Sequence, residues 1–334
     1  MAATPQTAAG APFDLDELES YRRELTGYCY RMLGSGFEAD DAVQETIVRA
    51  WKAADRFEGR SSVRSWVYRI ATNVCLDMLR GSQRRARPME LGPSSPASTD
   101  INTVATLPEY AWVSPIADDR VIPLDGDPAE IAAARESIRL AFVTALQHLP
   151  ARQRAALILC EVLKWQASEA AELLDTSVAS INSALQRARA TLSARMTGTG
   201  DDGPPASEPV SPEQAVLLDE FVEAFERYDV DRIVTLLHDD VEMSMPPYDL
   251  WLQGPDNVRG WLLGQGIGCQ GSRLVAASAA NGTAAYGSYR VDPAGGHAPW
   301  AMFLIEVSGD RIVGYHSFLD HRLFEAFGLP LHLD

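Results

Sequence analysis

The sequence has little cysteine and no long apolar run. Its 334 residues include four cysteines, Cys29, Cys75, Cys160 and Cys269, and no CxxC pair. The number and spacing of these cysteines argue against a disulfide framework and against a zinc site. Such cysteine usage is typical of a reducing compartment. No stretch of about 18 apolar residues occurs, which excludes a membrane-spanning helix in the printed sequence. Residues 1–13 lack a basic start and an apolar stretch, so we expect a disordered tail there rather than a secretory signal.

Composition and charge predict a multidomain globular protein. The chain is 46% hydrophobic and 22% charged, which excludes wholesale disorder, and its length suggests two or three domains. The net charge of −17 is concentrated in residues 88–128 and 199–334. Residues 14–45 are also acidic, whereas residues 49–87 are rich in arginine. The acidic stretch suits a basic protein surface, and the basic stretch attracts phosphate.

The first ordered block, residues 14–87, is predicted to be all-helical. It contains no proline, and apolar residues recur at helical spacing in three segments, the third over 63–79. We expect the second helix to open at Asp40 and Asp41, because carboxylates suit the positive N-terminal end of a helix.

A linker and a second helical block follow. Residues 88–128 are rich in proline and small polar residues without a period, which predicts a linker. The apolar patch at residues 110–113 indicates that this linker docks onto something. Residues 129–196 are predicted to be helical and to end in a helix-turn-helix whose second helix is capped by Ser177. Residues 197–211 are predicted to be a flexible acidic linker.

In the last block, residues 212–334, the spacing of the apolar residues changes along the sequence. Helical spacing comes first, and strand-like runs follow at 284–291, 300–307 and 311–319. Helices followed by a meander predict an α+β domain with a curved sheet.

Three motifs in register resemble those of the extracytoplasmic-function (group 4) sigma factors of the sigma-70 family. They are DDAVQETIVRAW (40–51), RSSVRSWVYRIATNVCLDMLR (60–80), and LPARQRAALIL (149–159) with SEAAELLDTSVASINSALQRARATL (168–192). In that family they bind core polymerase, melt and read the minus-ten element, and read the minus-thirty-five element. The stretch LLHDDVEMSMPPYDLWLQGPDNVRGWL (236–262) and the three strands resemble a SnoaL-like domain.

The resemblance implies a multidomain fold with two all-α sigma domains, the second a helix-turn-helix, and a C-terminal α+β cone-shaped SnoaL-like domain. The implied divisions are a disordered tail (1–13), sigma region 2 (14–87), an acidic Pro-rich linker (88–128), sigma region 4 (129–196), a flexible linker (197–211) and a SnoaL-like regulatory domain (212–334).

The acidic helix at 40–51 is where the resemblance places the contact with core RNA polymerase. The candidate residues are Asp40, Asp41, Gln44, Glu45, Thr46 and Arg49. The family's partner is an arginine-rich pair of clamp helices of the beta-prime subunit, and carboxylates orient well against guanidinium forks. A merely solvated acidic helix face is the alternative interpretation.

The next segment is where the resemblance places the minus-ten contacts. The candidates are Arg56, Arg60, Ser61, Ser62, Arg64, Ser65, Arg69, Asn73 and Arg80. A basic groove with polar pockets suits a melted strand with a flipped base. Trp66 either stacks on a base or belongs to the core, and we favour the core. The cluster Arg84, Arg85 and Arg87 either contacts phosphates or is a solvated linker end.

The helix from Ser177 onward is where the resemblance places the minus-thirty-five contacts. The candidates are Ser177, Ser180, Asn182, Ser183, Gln186, Arg187 and Arg189, which suit base edges and phosphates in the major groove. Asn182 and Ala184 stand where lysine and arginine are common in the family. We therefore expect a weaker grip on phosphate and a greater dependence on the polymerase to hold both domains on DNA.

The C-terminal domain has candidate pocket residues and no assigned chemistry. They are Tyr248, Trp251, Trp261, Trp300, Met302, His316 and Asp320. Cyclases of this fold use an acid/base pair inside the cone. The groups available for it are His316, Asp320, His321, Asp240 and Tyr248, and a His–Asp pair could serve as general acid and base. Alternatively, the aromatic residues fill the cone and the histidines lie on its surface. We expect regulation of the sigma domains rather than catalysis.

The leading interpretation is an alternative sigma factor that directs promoter-specific initiation, is not an enzyme and needs no metal or cofactor. Its expected partners are core RNA polymerase, through the beta-prime clamp helices and the beta flap, and promoter DNA. A small ligand or an anti-sigma factor is left open; no membrane partner is expected, and the expected location is the cytoplasm. One alternative is a SnoaL-like domain that converts or senses a small molecule and is fused to a DNA-binding module. Another is an ordinary DNA-binding regulator, against which the acidic 40–45 face argues.

Overall fold

The computed structural model of the chain describes residues 15–81, 84–123, 127–196 and 210–334. The predicted tail, 1–13, and almost all of the predicted linker 197–211 lie outside these residues. In the described part, no helix is long and apolar enough to cross a membrane.

The chain divides into two compact units. The first comprises Met1–Arg84, Arg120–Asp127 and Ala141–Gly198, and the second comprises Arg85–Asp119, Pro128–Leu140 and Thr199–Asp334. The predicted linker 88–128 therefore contributes to both units instead of lying apart from them.

The helices of the described residues are α1 (Leu15–Ser20), α2 (Arg22–Leu33), α3 (Gly36–Ala53), α4 (Val63–Met78), α5 (Pro128–Glu136), α6 (Leu140–Gln147), α7 (Ala151–Leu157), α8 (Ala167–Leu173), α9 (Val178–Met196), α10 (Pro212–Arg227), α11 (Val230–Leu236), α12 (Pro255–Leu263) and α13 (Arg322–Ala326). The strands are β1 (Leu237–Ser244), β2 (Trp251–Gln253), β3 (Arg273–Ala276), β4 (Ala284–Val291), β5 (His297–Ser308) and β6 (Arg311–Phe318).

Serine caps determine where two helices of the first unit begin. The hydroxyl of Ser35 accepts a hydrogen bond from the backbone N–H of Glu38 at 3.3 Å, and Ser62 caps α4 in the same way. Because a cap satisfies an N–H group that the helix leaves unpaired, α3 begins at Gly36. The predicted start at Asp40 is wrong by about one turn.

Aromatic packing holds α2 against α4. The rings of Tyr28 and Tyr68 meet edge to face with their centroids 5.3 Å apart. The hydroxyl oxygens of Tyr28 and Thr72 are 2.7 Å apart, and all three side chains are buried. A buried hydroxyl pair inside an aromatic cluster leaves these helices little freedom to shift.

A buried arginine ties α7 to α2 and α6. The guanidinium of Arg154 donates to the carbonyl oxygens of Gln147 at 3.1 Å and Leu149 at 3.2 Å, and also to that of Met32. These carbonyls lie at or just beyond the C-terminal ends of α6 and α2, where backbone oxygens lack helical partners. Burial lowers the pKa of Arg154 to about 10, because desolvation disfavours its charged form.

Helices α8 and α9 confirm the predicted helix-turn-helix. The turn between them includes Asp175, whose φ is 50°. Ile181, Leu185 and Ala188 form the buried side of α9. The opposite side of α9 is exposed at Asn182, Ser183 and Gln186.

The predicted second helical block divides between the two units. Helix α5 belongs to the second unit, where the side-chain amide of Asn281 donates to the carbonyl oxygen of Ile138 at 2.5 Å. The helical part of the first unit therefore resumes at Ala141 rather than at the predicted residue 129.

The second unit contains a six-stranded sheet. Its strand order is β2-β1-β6-β5-β4-β3, and all neighbours are antiparallel except β1 and β6. The three strands expected from the sequence are present as β4, β5 and β6, and β5 begins three residues before the predicted start at residue 300. Strands β1, β2 and β3 were not expected.

The two faces of this sheet have different coverings. On one face, Phe303 and Tyr315 pack with Phe225 and Phe221 from α10, and ring centroids are 5.0–5.9 Å apart. On the other face, a Cβ on Gly287 would lie 2.6 Å from the side chain of Leu329. Glycine is needed there because the C-terminal segment approaches the strand directly.

Residues 85–119 run across the second unit. Ala111, Trp112 and Val113 are 8%, 4% and 2% exposed, so the predicted docking patch is largely buried, although Tyr110 is exposed. The buried guanidinium of Arg85 donates to the carbonyl oxygens of Glu109 at 2.9 Å and Trp112 at 2.7 Å. Arg85 is therefore unavailable to DNA phosphates, which corrects that interpretation of the arginine cluster.

Candidate functional site

Helix α3 presents the predicted polymerase-binding face. Asp41, Gln44 and Glu45 are exposed along one side. The Glu45 carboxylate forms an ion pair with Arg49 at 2.6 Å. Thr46 is fully buried, and its hydroxyl donates to the carbonyl oxygen of Ala42 at 2.7 Å. The exposed face of α3 is therefore acidic and contains one cation, Arg49. Thr46 lies on the buried side of the helix.

Asp40, at the edge of this face, already has a cationic partner. Its carboxylate forms an ion pair with the guanidinium of Arg120, a residue of the predicted linker. No local pattern predicts this contact, because the two residues lie 80 positions apart.

A cavity of about 780 Å³ lies in the first unit, where the minus-ten contacts were predicted. Five of the predicted residues line it, namely Arg56, Arg60, Ser61, Arg69 and Asn73. Trp66 is half-buried in its wall, and its ring centroid lies 5.1 Å from that of Phe57. The expected core position of Trp66 is therefore not what the structure shows. Two of the three guanidinium groups face carboxylates, Arg60 at 2.9 Å from Glu58 and Arg69 at 3.7 Å from Glu172. The arginines and the two aromatic rings suit a single-stranded nucleic acid that displaces these exposed ion pairs.

The other predicted minus-ten residues have local partners. Arg64 forms a two-pronged contact with the Glu24 carboxylate at 3.0–3.1 Å, and its guanidinium lies over the ring of Trp165 at 5.3 Å. Ser62 and Ser65 form the N-terminal cap of α4. Exposed Arg80 forms an ion pair with Asp77 at 3.2 Å. Arg64 is thus a packing residue in this structure, whereas the Arg80 pair is weak enough to exchange.

Helix α8 closes one side of this cavity. The Arg69 guanidinium donates to the carbonyl oxygen of Glu172 at 3.0 Å, and Leu173, Leu174 and Asp175 line the same space. The residues predicted to read the minus-ten element therefore face the first helix of the helix-turn-helix.

The open side of α9 carries the predicted minus-thirty-five residues. Exposed residues there are Ser180, Asn182, Ser183, Gln186, Arg187 and Arg189. The hydroxyl of Ser177 accepts the backbone N–H of Ser180 at 3.2 Å. Arg189 forms an ion pair with Glu161, so Arg187 and Gln186 are the freer long donors on this side.

The predicted C-terminal pocket residues do not converge. Trp261 is 2% exposed in the core on the helix-covered face, and Tyr248 and Trp300 pack against that core. Met302 alternates with Ala301 and Phe303 of this core, so it points to the opposite face of β5. Two further candidates have partners elsewhere: the indole N–H of Trp251 donates to the carbonyl oxygen of Gly92 at 3.0 Å, and Asp320 pairs with Arg322 at 2.6 Å.

His316 lies in a buried charged cluster instead of an open pocket. It is 2% exposed, its Nδ1 lies 2.8 Å from the Ser244 hydroxyl, and its Nε2 lies 3.6 Å from the Glu306 carboxylate. Arg139 lies 3.7 Å from the same carboxylate. Burial opposes ionisation, but the hydrogen bond and charge of His316, with the charges of Arg139 and Arg87, lower the pKa of Glu306 to about 2. Arginines on either side of the predicted linker 88–128 thus act on one carboxylate.

The turn between β3 and β4 forms hydrogen bonds with the linker. The side-chain oxygen of Asn281 accepts the backbone N–H of Ile116 at 2.9 Å, while its amide group donates to Ile138. The backbone N–H of Gly282 donates to the Asp118 carboxylate at 2.9 Å. Asn281 and Gly282 have φ values of 52° and 75°, which these residue types tolerate best in a tight turn. An Asn-Gly pair between strands is a hairpin signal, but its contacts with the linker leave no trace in the sequence.

Family comparisons agree with this architecture. Residues 18–85 match Sigma-70 region 2, residues 139–192 match Sigma-70, region 4, and residues 218–315 match the SnoaL-like domain. The fold and these matches define a promoter-directing sigma factor fused to a SnoaL-like domain.

Individual relatives identify the family. The ECF RNA polymerase sigma factor SigG of Mycobacterium tuberculosis (strain ATCC 25618 / H37Rv) is 42% identical over 93% of this chain and 82% of its own length. SigJ of the same strain is 28% identical over 75% of this chain and 72% of its own length. The crystal structure of M. tuberculosis SigJ has the same fold, with a TM-score of 0.58 at 22% identity over 95% of this chain and 100% of that chain. The chain belongs to the extracytoplasmic-function sigma factors of the sigma-70 family. It is an alternative sigma factor, whose partners are core RNA polymerase and promoter DNA.

Proposed function

We propose that the SnoaL-like domain regulates this sigma factor by holding the segment that joins its two sigma domains. The proposal rests on the Asn281 side chain, which forms hydrogen bonds with Ile116 and with Ile138. These two residues lie before and after Arg120–Asp127, the stretch of the joining segment that belongs to the first unit. The Glu306 cluster and the Asp118 contact fix the same segment at further points.

The sigma factor is inactive while the SnoaL-like domain holds the segment that joins the two sigma domains. The minus-ten and minus-thirty-five elements are separated by about 25 base pairs, or about 85 Å at 3.4 Å per base pair. The described part of the first unit has about 130 residues, and a compact body of that size has a radius of gyration of about 14 Å. Two DNA-reading surfaces within one such body do not span that distance, so regions 2 and 4 must separate on the promoter.

The site residues have the following proposed roles. The exposed face of α3 with Asp40 binds the polymerase clamp helices. The cavity around Arg69 and Asn73 receives the melted minus-ten strand. The Asn182, Gln186 and Arg187 side of α9 enters the minus-thirty-five groove.

The SnoaL-like domain acts here as a holder rather than a catalyst, and the protein works in the cytoplasm with the polymerase. The separation of Met302 and His316 from the helix-covered core supports this assignment, as does the burial of His316. Ligand sensing is the second candidate function, and it would act through the same hold on the linker.

Run-off transcription with core polymerase tests the regulatory proposal. The full chain is compared with Asn281→Gly, which keeps the backbone free to adopt positive φ. It removes the two side-chain hydrogen bonds, to Ile116 and to Ile138, and keeps the bond from the backbone N–H of residue 281 to the carbonyl oxygen of Ile116. Two lost hydrogen bonds are worth about 2 kcal/mol, or about a 30-fold shift in linker docking. We expect a severalfold higher yield on promoters enriched from genomic DNA.

Thr283→Ala is the matched control. It removes a hydrogen bond to Ala280 within the same turn and leaves the linker contacts in place. An unchanged yield for a folded Asn281→Gly protein, or an equal rise for Thr283→Ala, contradicts the proposed hold.

A further inference from the structure

A short part of the joining segment is embedded in the first unit. Val121 and Ile122 are 4% and 5% exposed. The Arg23 guanidinium donates to the carbonyl oxygen of Ile122 at 3.2 Å. On α2, a Cβ at Gly27 would lie 3.3 Å from the carbonyl oxygen of Val121, tighter than ordinary contact. Glycine therefore permits the close approach of this segment to α2.

The embedded segment delivers one charge to the acidic face of α3. Arg120 forms an ion pair with Asp40, and the two side chains are 32% and 44% exposed. Asp41, Gln44 and Glu45 remain exposed beside the pair. The apolar pair after Arg120 acts as the anchor, and the guanidinium is the group that reaches the face.

We propose that Arg120–Ile122 is an internal competitor of core polymerase for the acidic face of α3. Arg120 gives Asp40 the guanidinium–carboxylate contact that an arginine-rich polymerase surface would give it, so the two exclude each other at this residue. The competitor is covalently attached, and it therefore acts at a high effective concentration even though the ion pair is weak. This inference rests on the proposed role of the α3 face.

The Arg120–Ile122 competitor is connected along the chain to the residues by which the SnoaL-like domain holds the linker. Asp118, two positions before Arg120, accepts the Gly282 N–H in the second unit. Release of the linker by the SnoaL-like domain frees the chain immediately before Arg120, and polymerase binding requires Arg120 to leave Asp40. The two events favour each other.

The first test is the affinity of the full chain for core polymerase, measured by fluorescence titration. Loss of a partly exposed ion pair corresponds to at most about a fivefold change in an equilibrium. We expect Arg120→Ala to bind core polymerase two- to fivefold more tightly than the unchanged chain. Arg227→Ala, which removes an exposed ion pair with Glu223 in the second unit, should bind as the unchanged chain does.

Asp41→Ala separates this inference from the proposed function, because Asp41 is exposed on the same face whereas Arg120 pairs with Asp40. If α3 is the polymerase face, Asp41→Ala weakens binding, and Arg120→Ala gives no gain once Asp40 is already alanine. If Asp41→Ala leaves the affinity unchanged, the assignment of the face fails, and the competitor fails with it. If Asp41→Ala weakens binding while Arg120→Ala binds no more tightly than the unchanged chain, the face stands and the competitor is overturned.

Hydrogen exchange supplies a second measurement on the unaltered chain. Amides of Val121 and Ile122 should lose protection when core polymerase is bound. Retained protection in the complex overturns the inference, because the segment would then still occupy α2 and α3.

Discussion

Replacing Asp118 with asparagine should stabilise the second unit at neutral pH. The Asp118 side chain is 12% exposed, and burial raises its pKa to about 6. The backbone N–H of Gly282 and the charge of Arg135, 3.8 Å away, offset only part of that effect. The folded protein therefore bears the cost of a buried carboxylate whenever Asp118 is ionised.

The sign and size follow from the direction of the pKa shift. The folded pKa of about 6 lies above the ordinary value of 3.8, so the stability that Asp118 contributes below about pH 4 is lost as the pH rises through 6. A shift of about two pKa units corresponds to about 3 kcal/mol. Asparagine keeps an oxygen that accepts the Gly282 N–H and carries no charge. Asp118→Asn should thus gain up to about 3 kcal/mol above pH 7 and almost nothing at pH 4.

Urea unfolding of the full chain at pH 4.5 and pH 7.5 measures this difference, with hydrogen exchange at 116–118 as a local reading. Asp119→Asn is the matched control, because Asp119 is the exposed neighbour and its replacement should change stability by less than about 0.5 kcal/mol. An equal gain for Asp118→Asn at both pH values, or a loss at pH 7.5, would refute the reasoning. A loss would mean that Arg135 stabilises the ionised carboxylate more than burial opposes it.

Three further changes have defined outcomes. Glu306→Gln should cost up to about 3 kcal/mol in urea unfolding at pH 5, where a charged His316 helps to hold the pKa of Glu306 at about 2. This stability is present above about pH 4.5 and is lost as the pH falls toward 2, so an equal cost at pH 5 and at pH 2 would contradict it. Arg154→Met should lower the stability of the first unit by about 2–4 kcal/mol in calorimetry, because buried carbonyls lose their donor, and an unchanged melting temperature would argue against that role. Arg187→Ala should weaken minus-thirty-five recognition by the polymerase complex by about 5- to 150-fold if it bonds to a base; equal weakening on duplexes with and without the element would show a phosphate contact instead.

Local pattern was enough for most of the helices and for half of the sheet. The spacing of apolar residues predicted α2, α4 and the helix-turn-helix, because one buried side of a helix has a fixed period. Strands β4, β5 and β6 were expected from their β-branched and aromatic content. Strand β1 was missed because its sequence, LHDDVEMS, carries three carboxylates, and only its pairing with β6 and β2 makes it a strand.

The exposure of the candidate DNA and polymerase residues on α3 and α9 was predictable, but their present partners were not. Asp41, Gln44 and Glu45 are exposed on α3, and Asn182 and Arg187 are exposed on α9, as their helical spacing required. Arg64 was predicted to read DNA, yet it packs between Glu24 and Trp165. A guanidinium group can bind DNA or pack inside the protein, and only its neighbours decide between these two roles.

The sequence by itself predicted the fold class, helical sigma domains with a C-terminal α+β domain, because periodicity and short motifs are local properties. Tertiary structure alone decided how the linker is used. Asn281 meets Ile116 across 165 positions, and Arg120 meets Asp40 across 80. Such contacts depend on the path of the folded chain rather than on any short pattern, and they turn an apparently featureless linker into the part that both units hold.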